Sequence, residues 1–145
     1  MQQNITAEIS IIIAADRKLV WAALVNPDLV KEYFFGTILS TTWEPGAPII
    51  FSGQWKGTEY TGKGIVLAYS ENEMLQYTYW SSRSGLDDKP ENYAPVTYRI
   101  GGEDGSVTVT IIQEDIPDLK EREHSIAYWE EILKGLKQLL EANKV

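Results

Sequence analysis

The sequence predicts an α+β fold in which a curved, seven-stranded antiparallel sheet is closed by one long C-terminal helix, with two short helices after the first strand. Three patterns carry this. A period-two segment opens the chain and leads into two short helical segments. Residues 37–114 then read as strands broken by turns. The last stretch, to Ala142, places apolar side chains at helical spacing.

In residues 4–13, Ile5, Ala7, Ile9, Ile11 and Ile13 alternate with Thr6, Glu8, Ser10 and Ile12, which gives a strand with one face for a core. Asp16 stands at an N-cap position ahead of Arg17 to Leu24, where Val20, Ala23 and Leu24 share a stripe. Asn26-Pro27 supplies a cap residue and a proline at the first helical position, predicting a second helix through Tyr33.

Strands are predicted near 37–43, 47–55, 58–69, 73–81, 94–101 and 105–114. The breaks are Glu44-Pro45-Gly46, Lys56-Gly57, Ser70-Glu71-Asn72, a polar loop at 82–92, and Glu103-Asp104-Gly105. Asp118 with Glu121 three residues on resembles a capping box, and Pro117 marks the entry. In the helix that follows, Leu119, Ile126, Trp129, Leu133, Leu136 and Leu140 form a stripe that needs a partner, and the sheet is the surface large enough to supply it.

Composition narrows the function classes. The 145 residues fit one domain, 1–145, with 43% hydrophobic residues to build its core. The formal charge of -8 and the lack of a dense Lys/Arg cluster argue against nucleic acid as partner. With no cysteine there is no disulfide framework, thiolate nucleophile or cysteine metal site. Met1-Gln2-Gln3-Asn4 lacks the basic start of a signal peptide, and Ile11-Ile12-Ile13 is far short of the ~20 residues that span a bilayer. The expectation is a cytoplasmic protein with no membrane span.

The candidate site lies between sheet and helix. Alternation turns Val96, Tyr98 and Ile100, Val107, Val109 and Ile111, and Leu75, Tyr77 and Tyr79 inward. Tyr60, Gly62, Gly64 and Val66 face the same way one strand earlier. Two inward glycines either let the strand curve or leave space for a ligand. Inward tyrosine hydroxyls need partners, so several together imply a polar network or a pocket, set against an ordinary aromatic core. The expected ligand-binding residues are Tyr60, Gly62, Gly64, Tyr77, Tyr79, Tyr98, Ile126, Trp129, Leu133 and Leu136.

No residue is assigned a catalytic role. His124, the only histidine, reads as a helix-face residue contacting the sheet edge or solvent, and no nucleophile-elbow pattern accompanies it. Glu114, Asp115, Asp118 and Glu121 read as a solvated acidic turn and helix start, with no metal or other cofactor implied. The glycines at 62, 64, 101 and 102 lack the strand-to-helix context of a phosphate cradle.

The order strand, two small helices, meander, long helix resembles the helix-grip fold of the START-like and Bet v 1-like superfamily. Within it, the chain is similar to the family named for the activator of the Hsp90 ATPase. The segments that carry the likeness are Val20-Trp21-Ala22-Ala23-Leu24 with Asn26-Pro27, Tyr60 with Gly62 and Gly64, Leu75-Gln76-Tyr77-Thr78-Tyr79, Val107 to Thr110, and His124 with Trp129, Leu133 and Leu136.

The resemblance implies a cavity for a hydrophobic small molecule such as a lipid, sterol or polyketide. It also brings two alternatives. One is a protein-interaction module acting on an Hsp90-type chaperone through the outer sheet face or the loop at 82–92. The other is a polyketide cyclase-like enzyme drawing an acid and a base from Tyr77, Tyr79, Tyr98 and Glu32. Residues 37–43 and Ile12 could pair or pack with a second copy, so a monomer or weak homodimer is expected.

Overall fold

The computed structural model of the chain describes residues 5–55, 57–82, 87–116 and 118–142. The expected start of the first strand at residue 4, the break at Lys56, residues 83–86 of the polar loop, and Pro117 lie outside them. Strand β1 (Ile5–Ile13) leads into helices α1 (Arg17–Val25) and α2 (Pro27–Tyr33). Strands β2 (Ile38–Ser40), β3 (Pro48–Trp55), β4 (Thr58–Ser70), β5 (Met74–Ser81), β6 (Ala94–Glu103) and β7 (Ser106–Ile116) follow, and helix α3 (Leu119–Ala142) ends the chain.

The strands form one antiparallel sheet in the order β1-β7-β6-β5-β4-β3-β2. Five of its six neighbour pairs are successive hairpins, and β1 closes the far side against β7. This is the α+β arrangement that the alternation predicts, and the helix-grip fold that the resemblance implies.

Local chemistry sets the element ends. Asn26 Oδ1 accepts the Asp28 N–H at 2.9 Å, so the asparagine caps α2 with Pro27 at the first helical position. Asp16 occupies the N-cap of α1 without a side-chain bond, and the Arg17 N–H donates instead to Asp104 Oδ1 from the β6–β7 turn at 2.9 Å. Asp118 Oδ1 accepts the Glu121 N–H at 2.8 Å and starts α3. Strand β2 is shorter than predicted because Trp43 takes a left-handed conformation, φ 62°, with its indole N–H donating to the Val25 carbonyl at 3.1 Å. Strand β7 runs longer and carries a bulge: Asp115 has φ 55°, and the β1 register shifts between Ile5 and Ala7.

The core lies between the concave sheet face and the helices. Val20, Ala23 and Leu24 of α1, Val30 and Tyr33 of α2, and Trp129, Ile132, Leu133 and Leu136 of α3 are buried against Leu75, Val96, Val107, Val109 and Ile111. Each buried Val, Leu or Ile contributes about 1.5–3 kcal/mol. The helix stripe differs from the predicted one at two places. Leu119 is 67% exposed, because the first turn of α3 carries it away from the core, and Ile132 is buried in its stead. On the opposite sheet face Ile38, Ile50, Ile65 and Leu67 of β2–β4 remain exposed. None of the helices is long and apolar enough to cross a membrane among the described residues.

Candidate functional site

At the end of the core nearest the start of α3, packing gives way to a cavity of about 400 Å³. Its inner wall is buried and apolar, formed by Phe34 just after α2, Phe51 of β3, Tyr77 of β5, Val96 of β6 and Trp129 of α3. Tyr60, Tyr79 and Tyr128 add phenol rings. Glu121, His124 and Ser125 of α3, Ser81 of β5 and Gln113 of β7 complete the lining. The Glu121 and His124 side chains are largely exposed, so they mark the mouth.

The rings support one another. Phe34 stacks on Phe51 with centroids 6.0 Å apart and meets Trp129 edge-on at 5.9 Å. Phe51 in turn contacts Tyr77 at 5.5 Å and Tyr79 at 5.6 Å. Such pairs add about 0.5–1.5 kcal/mol beyond area burial and hold the wall in shape.

The polar groups of the wall are paired. Tyr77 and Tyr98 share a hydroxyl hydrogen bond of 2.8 Å, the Tyr60 hydroxyl bonds Thr37 Oγ1, and the Trp129 indole donates to Gln113 Oε1 at 2.9 Å. Among the described residues no buried side-chain nitrogen or oxygen lacks a partner.

Burial pushes the Tyr79 phenol up to about 12. The same cause, followed by repulsion from neighbouring phenols, holds Tyr77 and Tyr128 well above the ordinary phenol range. Burial likewise raises Tyr98. These tyrosines therefore keep their protons at neutral pH and act as hydrogen-bond donors or acceptors, not as bases.

Four of the ten residues expected from sequence, Tyr60, Tyr77, Tyr79 and Trp129, line the cavity, and the other six lie elsewhere. Tyr98 stands behind the wall, bonded to Tyr77 and edge-on to Trp129 at 5.9 Å. Leu133 and Leu136 pack in the closed core, while Ile126 is partly buried and outside the lining.

The two glycines do not open the cavity. The Tyr79 ring occupies the space a Gly62 side chain would take, and Gly64 lets the Thr78 carbonyl of β5 approach its α-carbon. They permit close strand packing, which is nearer the curvature reading than the ligand-space one. Glu32 is exposed on α2 and is not part of the lining, so it cannot serve as a base there. His124 is 65% exposed at the mouth, its Nδ1 3.7 Å from Glu121 Oε1. Among the described residues no cluster of three or more His, Asp or Glu side chains could hold a metal ion.

Several lining residues were missed, though signals for them existed. Phe51 alternates with Ile50 beside inward Ile49. Gln113 continues the inward series Val107, Val109, Ile111, a polar residue where an apolar one is expected. Glu121, His124, Ser125 and Tyr128 fall at i, i+3, i+4 and i+7, one face of α3.

Residues 14–141 match the family described as Activator of Hsp90 ATPase homolog 1-like protein. The chain belongs to that family. A protein from Cytophaga hutchinsonii, solved in solution, is 39% identical and superposes with a TM-score of 0.82, covering 98% of this chain and 97% of that one. The Aha1 dimer from Colwellia psychrerythraea has the same fold at 16% identity, with a TM-score of 0.75 over 97% of this chain and 99% of that one. DynU16, a protein of the dynemicin biosynthetic locus, superposes at 19% identity and a TM-score of 0.77, covering 94% of this chain and 47% of its own length. A search of the curated proteins gave no match.

Proposed function

We propose that the protein binds a hydrophobic small molecule, of lipid, sterol or polyketide type, in the cavity between sheet and α3. The observation that carries this reading is the aromatic-walled space of about 400 Å³. That volume falls in the roughly 300–1,000 Å³ range of small-molecule sites and would hold about a dozen waters at ~30 Å³ each. An inner apolar wall with a few polar groups at one end is the composition such sites have.

The test is a screen of sterols, fatty acids and aromatic polyketides by native mass spectrometry and thermal shift, with Val96→Phe as the control. Val96 is buried in the wall, so a phenyl ring there projects into the cavity and narrows it. Wild type is expected to retain one ligand and gain stability by mass action, and Val96→Phe to retain it more weakly and gain less. Equal retention by both proteins would refute the reading.

The exposed Ile38, Ile50, Ile65 and Leu67 on the outer sheet face favour a second reading, a protein-interaction module. The family name makes an Hsp90-type chaperone its first candidate partner. Addition of the protein should then raise the chaperone's ATP hydrolysis, and Ile50→Lys with Ile65→Lys should abolish the effect. An unchanged rate would dismiss this reading.

A further inference from the structure

We propose that the cavity selects ligands without negative charge, an aromatic body ending in a hydroxyl or amine donor that Glu121 accepts, and rejects carboxylates such as fatty acids. This rests on the cavity-binding reading and assigns its ligand chemistry. Among the described residues that line the space there is no Lys or Arg, while Glu121 brings a carboxylate to the mouth.

Among the described residues, two nearby cations in sequence terms, Arg122 beside Glu121 and Lys63 on β4, are engaged elsewhere. Arg122 Nε donates to the Thr6 carbonyl at 2.8 Å, and Lys63 Nζ pairs with Asp88 at 2.6 Å. The start of α3 would itself favour an anion through its dipole. Asp118 already takes the Glu121 N–H there, and Glu121 follows in the first turn, so the helix end is answered by its own acids.

The interior is equally inhospitable to an anion. Desolvation that pushes the Tyr79 phenol up to about 12 disfavours its anion, and a ligand carboxylate placed beside it meets the same penalty. Neutral acceptors face no such cost, since the Gln113 amide accepts from Trp129 through its oxygen and keeps its NH₂ group to donate.

A matched series tests this: 2-naphthylmethanol, 2-naphthylmethylamine and 2-naphthoate, titrated into the full chain by calorimetry at neutral pH and low salt. The alcohol and amine are expected to bind, and naphthoate at least about fivefold more weakly than the alcohol. Glu121→Gln should weaken the amine about two- to fivefold, the range of a solvent-exposed ion pair, and should narrow the gap between naphthoate and alcohol. Glu121 is exposed, so this variant keeps the fold. Naphthoate binding as tightly as the alcohol in wild type, or an amine affinity unmoved by Glu121→Gln, would overturn the proposal. Failure of all three compounds to bind would overturn the cavity-binding reading beneath it.

Discussion

Gly64→Ala is the substitution whose cost can be worked most directly from the structure. A Cβ at Gly64 would overlap the Thr78 carbonyl, a backbone group of β5. The neighbouring Ile65 N–H of β4 donates to Thr78 Oγ1 at 3.0 Å and β6 pairs Pro95 with Thr78, so Thr78 is held from both sides. To admit the methyl group, β5 must move away from β4 at Thr78, and it carries Tyr77 and Tyr79 of the cavity wall with it. Overpacking costs about 1–3 kcal/mol, and each ladder hydrogen bond lost adds about 1 kcal/mol. With one such bond lost the sum, about 2–4 kcal/mol, is a large share of the roughly 5–15 kcal/mol that holds a domain folded. At this chain length it lowers Tm by roughly 7–13 °C. The control is Gly101→Ala, where a Cβ meets nothing within 4 Å. It should be neutral or stabilise by up to about 1 kcal/mol, as alanine replaces glycine in a strand. Urea denaturation followed by circular dichroism reads both. A Gly64→Ala midpoint within error of the Gly101→Ala midpoint would refute the close-approach explanation of Gly64.

Two further outcomes concern the tyrosines. Tyr77→Phe or Tyr98→Phe alone strands one hydroxyl of a buried pair and should cost about 1–3 kcal/mol, whereas the double variant should cost no more than either single one. Additive losses in chemical denaturation would show that the pair is not coupled. For alkaline pH the sign follows from the raised phenols. Below about 10 both folded and unfolded chains hold the Tyr79 proton; between about 10 and 12 only the folded chain does, so its stability contribution falls across that window. Two pKa units correspond to about 3 kcal/mol for Tyr79. Tyrosinate absorbance should therefore rise together with unfolding, and titration of all eight tyrosines near 10 in a folded protein would contradict the assigned burial.

The architecture was legible because its signals are periodic. Alternation along Val107, Val109 and Ile111 turns these residues inward, and the three-four spacing of Trp129, Leu133 and Leu136 finds the buried face of α3. The cavity was legible only in part, because it forms where periodic packing stops. Sequence spacing cannot say that α3 leaves the core at its first turns, which exposes Leu119 and turns Glu121, His124 and Ser125 toward the mouth. Nor does a glycine in a strand reveal whether its missing side chain is replaced by space or by a neighbour. At Gly62 the neighbour is the ring of Tyr79, from the next strand.

The cavity as the ligand site is tested most directly by isotope-filtered NMR of the labelled protein with unlabelled 2-naphthylmethanol. The account expects intermolecular contacts from the naphthyl protons to the rings of Phe51, Tyr77 and Trp129, which form the inner wall. Contacts confined to Ile38, Ile50 and Ile65 on the outer sheet face would contradict it.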